Sequence, residues 1–268
     1  MKIGMGVGVG FRRFRVGFSP SALFASSEPG VWYDPSDLST LFQDSAGATP
    51  VTAAGQPVGL MLDKSGRGNH ATQAIAAARP TYQTAGGLHW LAFDGVDDFM
   101  ITPTITPGTD KAQVFAGVRK LSDAAGMIAE SSIDANINSG TFFLVPGTVL
   151  TGGGPNYAFG SHGTSGNIAP ESAATYAAPI SNVLTGLGDI SGDLATLRIN
   201  GAQAAQLTTD QGIGNFLAYP LYIGARAGTG RFFNGNIYGF TVRFGANLTA
   251  AQIAQAETYM AGKTGFVL

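Results

Sequence analysis

Apolar positions in this chain recur at period two in short runs, and turn residues divide the runs. The pattern predicts strands over 31–33, 88–93, 99–101, 112–119, 127–131, 141–145, 157–161, 179–187, 194–200, 221–224 and 232–244. Within Ala112–Arg119, residues Val114, Ala116 and Val118 fall on one side, as in a half-buried strand. Asp34-Pro35-Ser36-Asp37 and Asp94-Gly95 read as tight turns, Asn200-Gly201 as a hairpin, and 43–59 as a polar loop. About a dozen short strands at this spacing predict an all-β fold, a two-sheet antiparallel β-sandwich. No internal repeat of solenoid or propeller length occurs.

One segment has the other period. Thr249 and Gln252 form a T-x-x-Q capping box, with Leu248 and Ile253 placed as a hydrophobic staple. Ile253, Ala256, Tyr259 and Met260 share a face, and Gly262 reads as the stop. One C-terminal α-helix over 249–262 is predicted, packed on the sandwich.

Residues 1–30 differ from the rest. Gly4, Gly6, Gly8 and Gly10 alternate with Met5, Val7 and Val9, followed by Phe11, Arg12, Arg13, Phe14 and Arg15. This reads as an extended N-terminal arm, too short to bury a core of its own and needing another chain or the edge of its own sandwich. Val7, Val9, Phe11, Arg12, Arg13, Phe14 and Arg15 are the candidate docking residues. Gly17, Ser19 and Pro20 interrupt the apolar stretch after the arginines, so the segment is read as retained rather than cleaved. The organisation is therefore an arm, 1–30, and a sandwich, 31–268.

Composition narrows the function classes. Charged residues are only 12% of the chain, with 39 Gly and 13 Pro, so its surface rests on small polar residues and turns. A net charge of −2 favours neither nucleic acid nor a membrane surface, and no apolar run reaches membrane-spanning length. The absence of Cys excludes disulfides and thiolate metal sites.

Several motifs occur in order along the chain. They are Leu62-Asp63-Lys64-Ser65-Gly66-Arg67-Gly68-Asn69-His70-Ala71-Thr72; Leu91-Ala92-Phe93-Asp94-Gly95-Val96-Asp97-Asp98-Phe99; Leu197-Arg198-Ile199-Asn200-Gly201; and Tyr222-Ile223-Gly224 with Phe233-Asn234-Gly235-Asn236-Ile237 and the terminal helix. Their order and spacing over 31–268 resemble the concanavalin A-like lectin/glucanase superfamily, laminin-G-like jelly rolls. The opening Trp32-Tyr33-Asp34-Pro35-Ser36-Asp37-Leu38 resembles sandwiches of tailed-bacteriophage virion proteins. The resemblance implies a non-catalytic structural protein of the tail or baseplate. Such a protein would be assembled in the bacterial cytoplasm, docked to other virion proteins through 1–30, homo-oligomeric, and displayed toward a host-surface polysaccharide. A capsid-decorating protein without ligand and a cellular or secreted carbohydrate-binding module remain the alternatives.

Candidate chemistry is sparse. The glucanase branch uses E-x-D-x-x-E, whereas this chain offers Glu130 and Asp134 as E-x-x-x-D with no third acid. His70, His89 and His162 sit in no nucleophile elbow, and Gly152-Gly153-Gly154-Pro155 lacks the lysine of a phosphate loop. The expectation is no enzyme and no organic cofactor. Asp94, Asp97 and Asp98 cluster at a turn, a donor set that suits calcium and equally suits an Asx-turn without metal. For a sugar, the adaptable loop 151–172 offers Asn156, Tyr157, His162 and Asn167.

Overall fold

The computed structural model describes residues 17–166 and 169–268. In chain order the strands are β1 (Gly30–Tyr33), β2 (Leu41–Phe42), β3 (Leu60–Met61), β4 (Ala71–Thr72), β5 (Thr81–Ala85), β6 (Leu88–Asp94), β7 (Met100–Ile101) and β8 (Lys111–Lys120). They continue as β9 (Ala129–Glu130), β10 (Thr141–Val145), β11 (Ala158–His162), β12 (Ile180–Asp189), β13 (Leu194–Ile199), β14 (Ala202–Leu207), β15 (Tyr222–Ile223) and β16 (Asn234–Phe244). Among the described residues one α-helix, α1 (Ala250–Thr264), follows. The first sheet runs β14-β13-β12-β8-β16-β6-β5, with β1 also paired to β16; the second runs β11-β10-β9-β15-β7-β4-β3-β2. All strand pairings are antiparallel, giving the expected two-sheet sandwich.

The core lies between the sheets. From the first come Val114, Ala116, Val118, Leu184, Phe240 and Val242; from the second come Phe142, Leu144, Phe159, Ile223 and Met100. Close approach is set by a missing side chain: a Cβ on Gly186 would fall 2.2 Å from the Phe159 ring across the core.

The helix covers the outer face of the first sheet, against β8, β12 and β16. Thr249 caps it in a full capping box with Gln252. Ala256, Met260 and Ala261 pack with Trp32, Phe115 and Val183. Gly117 makes room for this, since a Cβ there would lie 2.8 Å from the Thr264 methyl. The helix does not stop at Gly262. It runs to Thr264, and Gly265, at φ 70°, is the left-handed cap. The two extra residues are held by tertiary contacts that no local pattern contains: the Lys263 ammonium reaches both Asp34 oxygens at 2.8 Å.

The described part of the segment 1–30 also packs on the first sheet. A 3-10 turn over Pro20–Phe24 buries Leu23 and Phe24 beside the helix. Arg243 donates from Nε to the Leu23 carbonyl at 2.7 Å and pairs with Glu28 at 2.8 Å. Val7, Val9, Phe11, Arg12, Arg13, Phe14 and Arg15 lie outside the described residues. No helix among the described residues is long and apolar enough to cross a membrane.

Candidate functional site

The motif residues that carried the resemblance hold the fold. Asp63 accepts hydrogen bonds from the Trp32, Ser65 and Asn69 backbone N–H groups and from the Ser65 hydroxyl. Asn69 donates onward from Nδ2 to the Gly30 carbonyl at 2.8 Å, and the Tyr33 hydroxyl donates to the Asn69 carbonyl. Asp34 accepts from the Tyr259 hydroxyl at 2.9 Å and pairs with Lys263, tying the opening turn to the terminal helix. These donors hold the Asp34 carboxyl below the usual range against the upward push of burial.

Three of the residues expected to contact a sugar are structural instead. Tyr157 is fully buried; its hydroxyl donates to Asn182 Oδ1 at 3.1 Å, and the Lys120 ammonium sits 4.8 Å from the centre of its ring. Asn156 Nδ2 donates to the Ser172 carbonyl at 2.6 Å. His162 is buried, with its ring nitrogens 3.0 and 2.8 Å from the Ser165 and Ala135 carbonyls. The reason is architectural. Residues 158–162 form an edge strand of the second sheet, and all five are buried because flanking loops cover its outer face. Asn167 lies outside the described residues.

The acidic turn has a different character. One carboxylate oxygen from each of Asp94, Asp97 and Asp98 lies within 4.8 Å of the others. The Asx-turn is present: Asp94 Oδ1 accepts from the Val96 and Asp97 N–H groups at 2.8 and 3.3 Å. Asp98 is 6% exposed and accepts from the Asp94 N–H at 3.0 Å. Burial first, and then the charge of Asp94, push its pKa up to about 6. Among the described residues, none of the three acids forms a salt bridge. The contrast with other buried acids is clear. Asp34, Glu130, Asp189 and Glu257 each have a cation, and Asp63 has four donors. A groove of about 420 Å³ opens beside the turn, lined by Asp94, Asp98, Asn234, Thr81, Arg79 and the half-exposed Leu121, among others. Three hard oxygen donors with excess negative charge fit a calcium ion, whose further ligands are carbonyls, water or a ligand hydroxyl.

Glu130 and Asp134 meet at one guanidinium. Arg226 holds Glu130 Oε2 at 2.9 Å through Nε and Asp134 Oδ1 at 3.0 Å through a terminal nitrogen. Glu130 is fully buried, and its second oxygen accepts the Ala135 N–H at 2.6 Å. Burial raises its pKa despite Arg226.

No protein-family model matches the chain, and no curated protein matches it. Among solved structures it is similar to domain 4 of AbnA, a GH43 extracellular arabinanase from Geobacillus stearothermophilus, in complex with arabinotriose. That likeness is at 14% identity over 86% of this chain and 98% of that one, with a TM-score of 0.61. An arabinofuranosidase complexed with arabinofuranosyl-α-1,2-xylobiose matches at 12% identity over 92% of this chain, with a TM-score of 0.63; the chain spans 65% of that protein. The binding domain of botulinum neurotoxin DC, in complex with SialylT, matches at 13% identity over 75% of this chain and 48% of its own, with a TM-score of 0.51. At such identities the likeness shows the fold, a jelly-roll β-sandwich of the concanavalin-like kind.

Proposed function

We propose that this chain is a non-catalytic glycan-binding sandwich that takes its ligand in the groove beside Asp94–Asp98, with calcium held by Asp94, Asp97 and Asp98. The observation that carries this reading is Asp98, a buried carboxylate with one backbone donor and no protein cation. A bound cation supplies the missing charge and presents open coordination positions to sugar hydroxyls. Asn234 and Thr81 add hydrogen-bonding groups along the same groove, and Leu121 adds an apolar surface for a ring face. The sugars named with the arabinanase domain and the arabinofuranosidase belong to those proteins; they support the ligand class here. The non-catalytic half rests on Glu130, which is out of solvent and pinned by Arg226 and the Ala135 N–H. Hydrolysis of arabinan or xylan by the chain, lost in Glu130→Gln, would overturn it.

The expected result for the double variant Asp94→Asn/Asp98→Asn is at least about a tenfold loss of glycan affinity, matched by chelator on the parent protein. Calorimetry against hits from a polysaccharide array reads it. Affinity unchanged by both treatments removes the groove from the proposal.

A virion-associated role, at tail or baseplate, is the finer proposal and rests on the sequence resemblance of 31–268. Docking then falls to residues 1–16, because Phe18, Leu23 and Phe24 already pack on the sandwich. Deletion of 2–16 is expected to leave a folded sandwich that no longer joins the particle. Normal incorporation of the truncated chain would defeat the docking role.

A further inference from the structure

Among the described residues, most cationic side chains are spoken for. Lys64, Lys111, Lys120, Arg198, Arg226, Arg243 and Lys263 each pair with a carboxylate, and Arg79 donates to three backbone carbonyls. Arg67 and Arg119 are exposed. Arg231 is the exception: it is half-buried, and among the described residues it has neither a hydrogen bond nor an ion pair. Its nearest acids, Glu130 and Asp134, are already held by Arg226. Burial and the charge of Arg226 lower the Arg231 pKa.

The setting makes room for that guanidinium. The guanidinium packs directly on Gly152, where a Cβ would lie 2.3 Å from a terminal nitrogen of Arg231. Arg231 itself sits at φ 50° and Ala227 at φ 52°, left-handed conformations unusual for residues with a side chain. The segment is also continuous with the acidic turn. Gly228 packs on the Phe99 ring, Gly224 lies against Phe93 and the Asp98 carbonyl, and Asn234 pairs with Asp94. Arg231 thus lies three residues along the chain from Asn234, which lines the groove beside the acid cluster.

We infer that Arg231 is an anion subsite, taking the carboxylate of an acidic sugar in a glycan that extends from the groove. The identification as a sugar rests on the glycan-binding reading above; the anion rests on Arg231 alone. One unshared guanidinium matches one carboxylate through two parallel hydrogen bonds. A densely charged polyanion fits less well, because Arg226, Arg231, Glu130 and Asp134 together sum to zero charge.

The test uses the full chain with trigalacturonate and its fully methyl-esterified form, in which each carboxylate becomes a neutral ester. Trigalacturonate is expected to bind at least about tenfold tighter. Arg231→Met is expected to erase that difference, and Arg231→Lys to retain part of it. Each variant is checked for an unchanged melting temperature. In the parent protein the Arg231 Nε–Hε NMR resonance is expected to shift with sodium glucuronate at millimolar concentration, which needs no variant. No preference for the acid form, or a preference that survives Arg231→Met, overturns the subsite. An equal response to sulfate and glucuronate, with no gain for the trisaccharide, overturns the sugar and leaves a free-anion site. Loss of methyl-ester binding in Asp94→Asn/Asp98→Asn, with Arg231→Met unaffected for that ester, separates failure of this subsite from failure of the groove.

Discussion

Asp63→Ala is expected to lower the stability of the folded chain by about 3 to 5 kcal/mol, the cost of stranding several buried donors at once. The carboxylate receives the Trp32 N–H at 2.9 Å, the Ser65 N–H at 2.8 Å, the Ser65 hydroxyl at 2.7 Å and the Asn69 N–H at 3.1 Å. Trp32 and Ser65 are buried, so water does not replace what is lost. Damage spreads because Asn69 also holds the Gly30 carbonyl, and Trp32 packs against Tyr259 of the helix. Asp63→Asn keeps one acceptor oxygen and is expected to cost roughly half as much. Urea unfolding followed by tryptophan fluorescence reads both. A cost below about 1 kcal/mol for the alanine variant contradicts the role given to this turn.

Asp98→Asn is expected to have the opposite sign at neutral pH. The Asp98 pKa stands at about 6 in the folded chain against an ordinary 3.8, so folding favours its protonated form. That preference is fully felt below pH 3.8 and is lost as the pH rises through about 6, where ionised Asp98 burdens the fold. Asparagine cannot ionise and still accepts the Asp94 N–H. The variant is therefore expected to be more stable than the parent by about 2 kcal/mol at pH 7.5 and equal to it near pH 4. Calcium at millimolar concentration is expected to raise the melting temperature of the parent at pH 7.5, with little effect on the variant. Parallel melting curves at every pH, with no calcium response in either protein, would remove both the strained carboxylate and the cation.

The long strands were legible in the sequence because one of their faces is core. The alternation at Val114, Ala116 and Val118 survives directly as the inner face of β8, and Thr141–Val145 is β10 as read. The two-residue strands β2, β3 and β4 were not legible, since their pairing depends on neighbours far along the chain. Strand β14 was missed for another reason. Ala202–Leu207 is alanine and glutamine closed by one leucine, with no apolar period, brought into the sheet by the Asn200-Gly201 turn that the sequence did announce. The acids at 94, 97 and 98 could be picked out as a cluster. Their lack of a counter-cation among the described residues could not, because it follows from where the described arginines and lysines pack. Tyr157 and His162 were misjudged for the same kind of reason. A Gly-, Ser- and Asn-rich surrounding reads as surface, while the covering of an edge strand by distant loops leaves no local mark. Arg231, within Thr-Gly-Arg-Phe-Phe, carried no signal at all.

The place of β16 has a consequence for how the molecule is made. The last strand in the chain lies inside the first sheet, between β8 and β6, and also pairs with β1. Until residues 234–244 are available, β8 has no partner on one side and β1 has none at all. Residues 234–244 must therefore be in place before the sheet can close, and contacts of such long range make closure slow. Until then the inner faces of β8 and β12 lack part of their cover. Removing residues 234–268 is expected to leave β1 and one side of β8 without their partners, so the first sheet stays open.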